Sequence, residues 1–191
     1  EVYGLVTGPP AWRQSLVGFM GELGFKRHPL APCVALFYVK GELRGLIVIE
    51  TDDLLGGGLG PEWNQAIDKL RQRFTFGKWE KLREKSVEYG GRTLKQHSDH
   101  SIEISMYRYL REKAREVRLQ KGRCKEPASP ANADETTALR GLLGKLNWAT
   151  REGMPHGSGA ASILSSRMPN PTVKDIQEAN ASLRRLLAKE A

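Results

Sequence analysis

The sequence predicts an α+β fold, and three observations indicate it. Apolar residues recur at helical spacing in some segments, continuous or alternating β-branched runs occur in others, and glycine or proline separates the two kinds. The strand-like runs lie mainly in the first half of the 191 residues, and helical runs dominate the second half. A sheet with packed helices, followed by a helical subdomain, is typical of an α+β arrangement.

The first half is predicted to form a sheet with a helix on each side of it in sequence. Leu16, Phe19 and Met20 follow helical spacing, and Gly24 ends that helix. The turn at 40–42 joins two apolar runs into a hairpin. A glycine run follows, which lacks the Lys-Ser/Thr of a phosphate-binding P-loop and is interpreted as a flexible loop. The predicted elements are a helix at 12–23, strands at 34–39 and 43–51, a loop at 56–60 and a helix at 61–74.

The second half changes from short strands to helices after Met106. Gly90-Gly91 separates two β-like pieces, as a tight turn would. His97-Ser-Asp-His100 resembles a metal clip in composition but is interpreted as a polar turn. The predicted elements are strands at 86–89, 92–96 and 101–104, helices at 107–119, 135–151 and 172–190, and loops at 127–132 and 154–159.

The net charge of +8 is concentrated in one part of the chain. Residues 1–75 carry eight Lys/Arg and eight Asp/Glu, whereas residues 76–191 carry 22 and 14. The stretch 108–125 alone has eight basic and two acidic residues. Two interpretations remain open, a solvated basic surface and a surface that binds a polyanion.

Cysteine content and hydropathy restrict the environment of the chain. Cys33 and Cys124 are 91 positions apart and show neither metal-type spacing nor a disulfide framework. This usage predicts a reducing intracellular location, cytoplasmic or nuclear. No stretch approaches the roughly 18 apolar residues that a membrane span needs, so no membrane partner is expected.

Two adjacent acids, Asp52 and Asp53, follow an apolar strand and precede the glycine run. At a strand end, neighbouring side chains alternate across the pleat, so one carboxylate is expected on each face. Divalent cations such as Mg²⁺ bind one or two carboxylates together with substrate phosphates. We expect the pair at a β-hairpin turn, with Asp52 facing the same open side as the segment 3–10. There it either caps the turn in water or binds a cation.

Six colinear segments resemble the reverse transcriptases of copia-type LTR retrotransposons, and together they cover almost the whole chain. ETDD falls where that family has Tyr-Val-Asp-Asp, and the first segment falls where it has Tyr-Gly-Leu-Lys-Gln-Ala-Pro-Arg-x-Trp. The segments are VYGLVTGPPAW (2–12), LGFKRHPLAPCVALFY (23–38), ETDD (50–53), FGKWEKLREKSVEYGGRTL (76–94), TALRGLLGKLNWAT (137–150) and LSSRMPNPT (164–172).

The resemblance implies a partial polymerase palm at 1–97, an antiparallel sheet with packed helices, followed by a helical basic thumb subdomain at 98–191. It implies two-metal nucleotidyl transfer in the intact enzyme, with Mg²⁺ or Mn²⁺, an RNA template, a DNA primer, their RNA–DNA hybrid and deoxynucleoside triphosphates. An active element would carry the enzyme in a virus-like particle. The implied roles are catalysis and metal binding at Asp52 and Asp53, nucleotide binding at Thr7, Gly8 and Pro9, and nucleic-acid binding at Tyr89, Gly90, Arg140, Gly144 and Trp148.

The segment that resembles a thumb helix can also be interpreted from its spacing. Arg140, Gly144 and Trp148 are four residues apart and share one face, whereas the leucines fall on the opposite side. A cation, a bare backbone and an aromatic ring suit the wide, shallow minor groove of an A-like duplex. The alternative is that Trp148 is an ordinary core residue at a helix end.

Departures from the family pattern favour a second interpretation. The family's Lys-Gln pair is Val6-Thr7 here, its Arg is Pro10, and its Tyr before the acid pair is Glu50. Fewer cations and one more acid weaken triphosphate binding by repulsion. The family's first catalytic aspartate lies upstream of the Tyr-Gly motif, so the chain is expected to be a fragment with two of three metal carboxylates and no activity by itself. The alternative is a decayed or repurposed, non-catalytic nucleic-acid-binding module.

Overall fold

The computed structural model describes residues 8–188, and the fold is α+β. The chain divides into two structural units, Glu1–Trp79 and Glu80–Ala191, called unit 1 and unit 2 below. The sequence-based division at 97/98 differs from this one, because the strands that precede residue 97 pack with the helices that follow them. An ion pair between Arg92 and Glu152 is one such contact.

Unit 1 is a four-stranded antiparallel sheet with two helices, and the predicted strands and hairpin are confirmed. The sheet order is β1-β2-β3-β4, so every neighbour in space is also a neighbour in sequence. The elements are α1 (Gly8–Glu22), β1 (Phe25–Arg27), β2 (Val34–Val39), β3 (Glu42–Glu50), β4 (Asp53–Gly58) and α2 (Pro61–Arg73).

Both helices of unit 1 cover the same face of the sheet. Leu16 and Met20 of α1 and Leu70 of α2 are almost fully buried in a core that includes Phe25 and Phe37. The ring centroids of Phe25 and Phe37 are 4.9 Å apart, and both rings contact Trp63, at 5.8 and 6.0 Å. Such aromatic clusters bury large apolar areas, and this one holds the sheet against α2.

The glycine run is partly a strand, so its interpretation as a loop is wrong for Gly56–Gly58. These residues belong to β4, and Gly58 pairs with Gly45 of β3. The buried ring of Trp63 lies against this glycine pair, where a Cβ on either residue would overlap the ring. The glycines therefore allow close approach of an indole to the sheet, a use of glycine that local sequence does not reveal.

Unit 2 combines a three-stranded antiparallel sheet, in the order β5-β6-β7, with a group of helices. Its core consists largely of the leucines of one long helix and apolar residues of the helices around it. The elements are β5 (Val87–Tyr89), β6 (Arg92–Gln96), β7 (Ile102–Ser105), α3 (Tyr107–Lys113), α4 (Ala133–Glu152), α5 (Ser158–Ser166) and α6 (Val173–Ala188).

Two predictions in unit 2, one of a helix and one of a loop, need correction. The helix predicted at 107–119 ends at Lys113, because the side-chain amide of Asn180 donates to the Val117 carbonyl and accepts from the Val117 amide, both at 2.9 Å. These bonds hold the segment after Ala114 in an extended path. The loop predicted at 154–159 gives way to α5 at Ser158, since Ala161 and Leu164 bury an apolar face there.

Candidate metal-binding turn and nucleic-acid interface

The acid pair lies at the β3–β4 hairpin turn, as the sequence predicts. Thr51 adopts a positive φ of 58°, Asp52 completes the turn, and Asp53 opens β4 opposite Glu50. The expected alternation across the pleat is wrong for Asp52, because it lies in the turn and not in a strand. Both carboxylates are exposed.

The turn can supply two carboxylates to a cation. Hard divalent ions accept such oxygen ligands and complete their shell with water or phosphate. No group of three or more His, Cys, Asp or Glu side chains that could bind a metal exists within residues 8–188. Within the same described residues, the acid pair thus offers two carboxylates and no closed protein cage.

The nucleotide-binding candidates lie at the edge of the described chain. Thr7 is outside the described residues, as is most of the segment 3–10 that Asp52 was expected to face. Gly8 and Pro9 form the first turn of α1, and Pro10 is exposed beside them.

The β5–β6 hairpin turns at Gly90-Gly91, called the glycine turn below. Positive φ values of 55° and 76° at these glycines match the backbone twist of a two-residue hairpin. Tyr89, which precedes the turn, is buried with 9% of its surface exposed. The tip of this hairpin is therefore glycine backbone, and Tyr89, expected to contact nucleic acid, is buried beside it.

Helix α4 presents Arg140, Gly144 and Trp148 on one exposed face, called the Arg–Gly–Trp face below. Nothing lies within 4 Å of a Cβ built on Gly144, and Trp148 is 38% exposed, so the alternative of a core tryptophan is wrong. The opposite face is the core of unit 2, as predicted. Its buried residues include Leu139, Leu142, Leu143, Leu146 and Ala149.

A capping box fixes where α4 begins. The Asn132 side chain accepts from the Glu135 amide, and the Glu135 carboxylate accepts from the Asn132 amide, each at 2.9 Å. Arg123 donates to the same carboxylate at 2.7 and 3.1 Å. These hydrogen bonds, the one from Arg123 foremost, lower the pKa of Glu135 below its ordinary value although burial acts against them.

The glycine turn and the Arg–Gly–Trp face meet in unit 2. A Cβ on Gly91 would lie 3.9 Å from Trp148 Nε1 and 3.9 Å from the Tyr109 ring. The Arg151 guanidinium lies 5.9 Å from the centroid of the Trp148 ring, within cation–π range. Two elements that the sequence places about 55 residues apart thus form one surface.

An ion pair joins these two elements. Arg92, directly after the glycine turn, donates from Nε to Glu152 Oε2 at 2.8 Å, and its Nη2 donates to the same oxygen. Their side chains are 23% and 12% exposed. The hydrogen bond from Arg92 lowers the pKa of Glu152, against the opposing effect of burial. Sequence reasoning missed both residues, and the only local signal is that Glu152 follows Trp148 by four.

The basic stretch 108–125 is partly neutralised. Arg108 pairs with Glu112 at 2.8 Å, and Arg123 pairs with Glu135. Arg111, Lys113 and Lys121 are exposed. The usable positive charge of unit 2 is therefore smaller than its composition indicates.

Comparison with protein-family models, curated proteins and solved structures gives no match. Within residues 8–188, no helix has the length and hydropathy to cross a membrane.

Proposed function

We propose that the chain is part of a copia-like reverse transcriptase, with the β3–β4 hairpin in a partial palm and unit 2 as its nucleic-acid-binding thumb region. The observation that carries the proposal is the convergence of the glycine turn with the Arg–Gly–Trp face. Both were expected to bind nucleic acid from separate segments of the sequence, and Gly91 of the turn lies against Trp148 of the face.

The chemistry of this surface suits a duplex backbone. Arg140 supplies a charge for phosphate, Gly144 leaves the helix backbone bare, and Trp148 offers a ring and an N–H group. None of these groups requires a particular base, so binding independent of sequence is expected. The exposed glycine costs about 1 kcal/mol in helix propensity, which a close approach by another surface would offset.

At the hairpin, Asp52 would bind a divalent cation and Asp53 would support it. A bound Mg²⁺ would supply positive charge to the attacking and leaving oxygens of phosphoryl transfer. The exposure of both carboxylates leaves them open to a substrate that brings its own phosphates. Deoxynucleoside triphosphates are the substrate class that this chemistry and the resemblance favour.

The test is a fluorescence anisotropy titration of a labelled RNA–DNA hybrid at several salt concentrations. Trp148→Ala should weaken binding by about 1 kcal/mol, the low end of aromatic stacking on nucleic acid. Trp79→Ala is the matched control, because Trp79 is 40% exposed and also has an arginine over its ring, Arg71 at 5.1 Å. Equal affinities of the two variants would contradict the proposed interface.

A second candidate, a non-catalytic nucleic-acid-binding module, is favoured by Glu50. It pairs with Asp53 across the hairpin and places a third acid where a triphosphate would approach. Mn²⁺ binding, followed by electron paramagnetic resonance in the presence of a deoxynucleoside triphosphate, separates the candidates. The polymerase predicts binding that Asp52→Asn removes and Asp68→Asn, in the exposed part of α2, leaves intact. Binding unaffected by Asp52→Asn favours the module.

A further inference from the structure

Glu152 occupies the junction of the two elements that form the candidate interface. It is the last residue of α4, one turn beyond Trp148, and its side chain is 12% exposed. Its Oε2 accepts both hydrogen bonds from Arg92, which fixes the strand that leaves the glycine turn. A carboxylate with this little exposure and a charged partner is costly to disturb on either side.

The other carboxylate oxygen of Glu152 contacts the arginine that lies over the Trp148 ring. Glu152 Oε1 accepts from Arg151 Nε at 3.3 Å, and the Arg151 guanidinium lies over the Trp148 ring. One carboxylate therefore touches the arginine beside the glycine turn and the arginine above the indole. Gly91 completes the arrangement: its positive φ of 76° favours glycine, and a Cβ built on it would lie 3.9 Å from Trp148 Nε1, in ordinary contact.

We propose that Glu152 is a positioning residue for nucleic-acid binding. Its carboxylate holds the glycine turn beside Trp148 and orients Arg151 over the indole, so that hairpin and helix contact one duplex backbone together. Glu152 itself does not touch the nucleic acid. This inference rests on the proposed function, since it assigns a role within that interface.

For Glu152→Gln, the change in net charge and the loss of positioning have opposite expected effects on nucleic-acid binding. Glu152→Gln raises the net charge from +8 to +9, so electrostatics alone would tighten binding to a polyanion. The positioning role predicts the opposite, a weakening of about three- to tenfold, the usual range of coupling between contacting groups. Glu116→Gln is the matched control, because Glu116 also pairs with an arginine, Arg184 at 2.5 Å, and its loss changes the charge equally.

Two further readouts separate positioning from general stability. In a chain labelled with 5-fluorotryptophan, Glu152→Gln should shift the ¹⁹F resonance of Trp148 and leave that of Trp63, in the core of unit 1, in place. In the Trp148→Ala background, Glu152→Gln should cost less binding than in the wild type, since part of its effect passes through the indole. A variant Arg92→Gln removes the partner of Glu152 and should weaken binding more than Arg184→Gln, which removes an equal charge from the pair with Glu116.

The decisive experiment is an anisotropy titration of a labelled RNA–DNA hybrid with wild type, Glu152→Gln and Glu116→Gln, with thermal unfolding of each. Weaker binding by folded Glu152→Gln, with Glu116→Gln equal to or tighter than wild type, supports the inference. Equal binding by both variants overturns the positioning role alone. No binding by the wild type overturns the proposed function and this inference with it. If Glu152→Gln unfolds, the charge-matched variants Arg92→Gln and Arg184→Gln decide, and equal affinities there overturn the inference.

Discussion

Unit 1 and unit 2 present their candidate functional residues in different ways. In unit 1, Asp52 and Asp53 stand at an exposed hairpin turn whose position depends on a sheet held by aromatic packing around Trp63. In unit 2, the glycine turn and the Arg–Gly–Trp face are linked by the ion pair of Arg92 with Glu152, whose carboxylate is little exposed. An apolar core holds the hairpin of unit 1, whereas in unit 2 a polar contact links two elements that are separate in sequence.

The largest expected effect tests the aromatic side of this comparison. Gly58→Ala places a Cβ against the buried Trp63 ring, which cannot move without disturbing Phe25 and Phe37. Overpacking of this kind should lower the free energy of unfolding of unit 1 by about 3 kcal/mol. Thermal unfolding followed by near-ultraviolet circular dichroism measures it. Gly57→Ala, one residue earlier with nothing within 4 Å, is the control and should change stability little.

A somewhat smaller loss of stability is expected when the polar contacts of unit 2 are removed. Glu135→Ala removes the reciprocal bond of the α4 capping box and the partner of Arg123, so unit 2 should lose about 2 kcal/mol of stability. Chemical denaturation with a probe in unit 2, such as the fluorescence of Trp148, measures the loss. Asp134→Ala, exposed in the same first turn, should cost far less. Equal losses would mean that the polar network is not what stabilises α4.

Acid should affect unit 2 before it affects unit 1. Hydrogen bonds from arginines lower the pKa of Glu135 and of Glu152 below the ordinary glutamate value of 4.5. A carboxyl with a lowered folded-state pKa contributes stability that is present above its ordinary value and is lost as pH falls through the folded value. The protection factors of the α4 amides, which correct for the intrinsic exchange rate, should therefore fall below about pH 4.5, while those of the β3 amides stay high. Simultaneous loss of protection in both units would remove this distinction.

The pKa of Asp175 extends the prediction on acid to helix α6. Burial raises it, but hydrogen bonds from Thr172 and Arg167 outweigh burial and lower the pKa below 3.8. Its contribution should therefore begin to fall only below about pH 3.8, the ordinary value, so the protection of α6 should start to fall at lower pH than that of α4.

The smallest expected effect concerns a single surface cation. Lys121→Ala removes one exposed charge from unit 2 and should change hybrid affinity slightly, but reduce the slope of log affinity against log salt by about 1 if Lys121 contacts a phosphate. Lys26→Ala, exposed on β1 of unit 1, provides the comparison. Identical slopes would show that Lys121 is a solvated charge.

Much of the fold could be predicted because it depends on local patterns. Val34–Val39 has the predicted bounds, since turn residues delimit its apolar run, and the leucines of α4 define its buried face. The failures have distant causes. Gly58 is a strand residue because Trp63 covers it together with Gly45, 13 positions earlier, and the extended path at Val117 depends on Asn180.

The candidate site also has features that local sequence predicts and a feature that it does not. The hairpin position of Asp52 and the exposure of Gly144 and Trp148 could be predicted from neighbours along the chain. The link between Arg92 and Glu152 could not, because 60 residues separate them and neither stands out in its own segment. The metal and nucleotide roles stay predictions.

The central claim is that the Arg–Gly–Trp face of α4 meets a nucleic-acid duplex, and Gly144 tests it most directly. Gly144→Leu adds bulk at an open point of that face without removing a charge or a ring. Gly159→Leu adds the same bulk to α5, where a Cβ also has open space. In an anisotropy titration of a labelled RNA–DNA hybrid, we expect about tenfold weaker binding for folded Gly144→Leu, a difference of roughly 1.4 kcal/mol, and wild-type affinity for Gly159→Leu. Wild-type affinity in folded Gly144→Leu would contradict the claim and leave the basic half of the chain as a solvated surface.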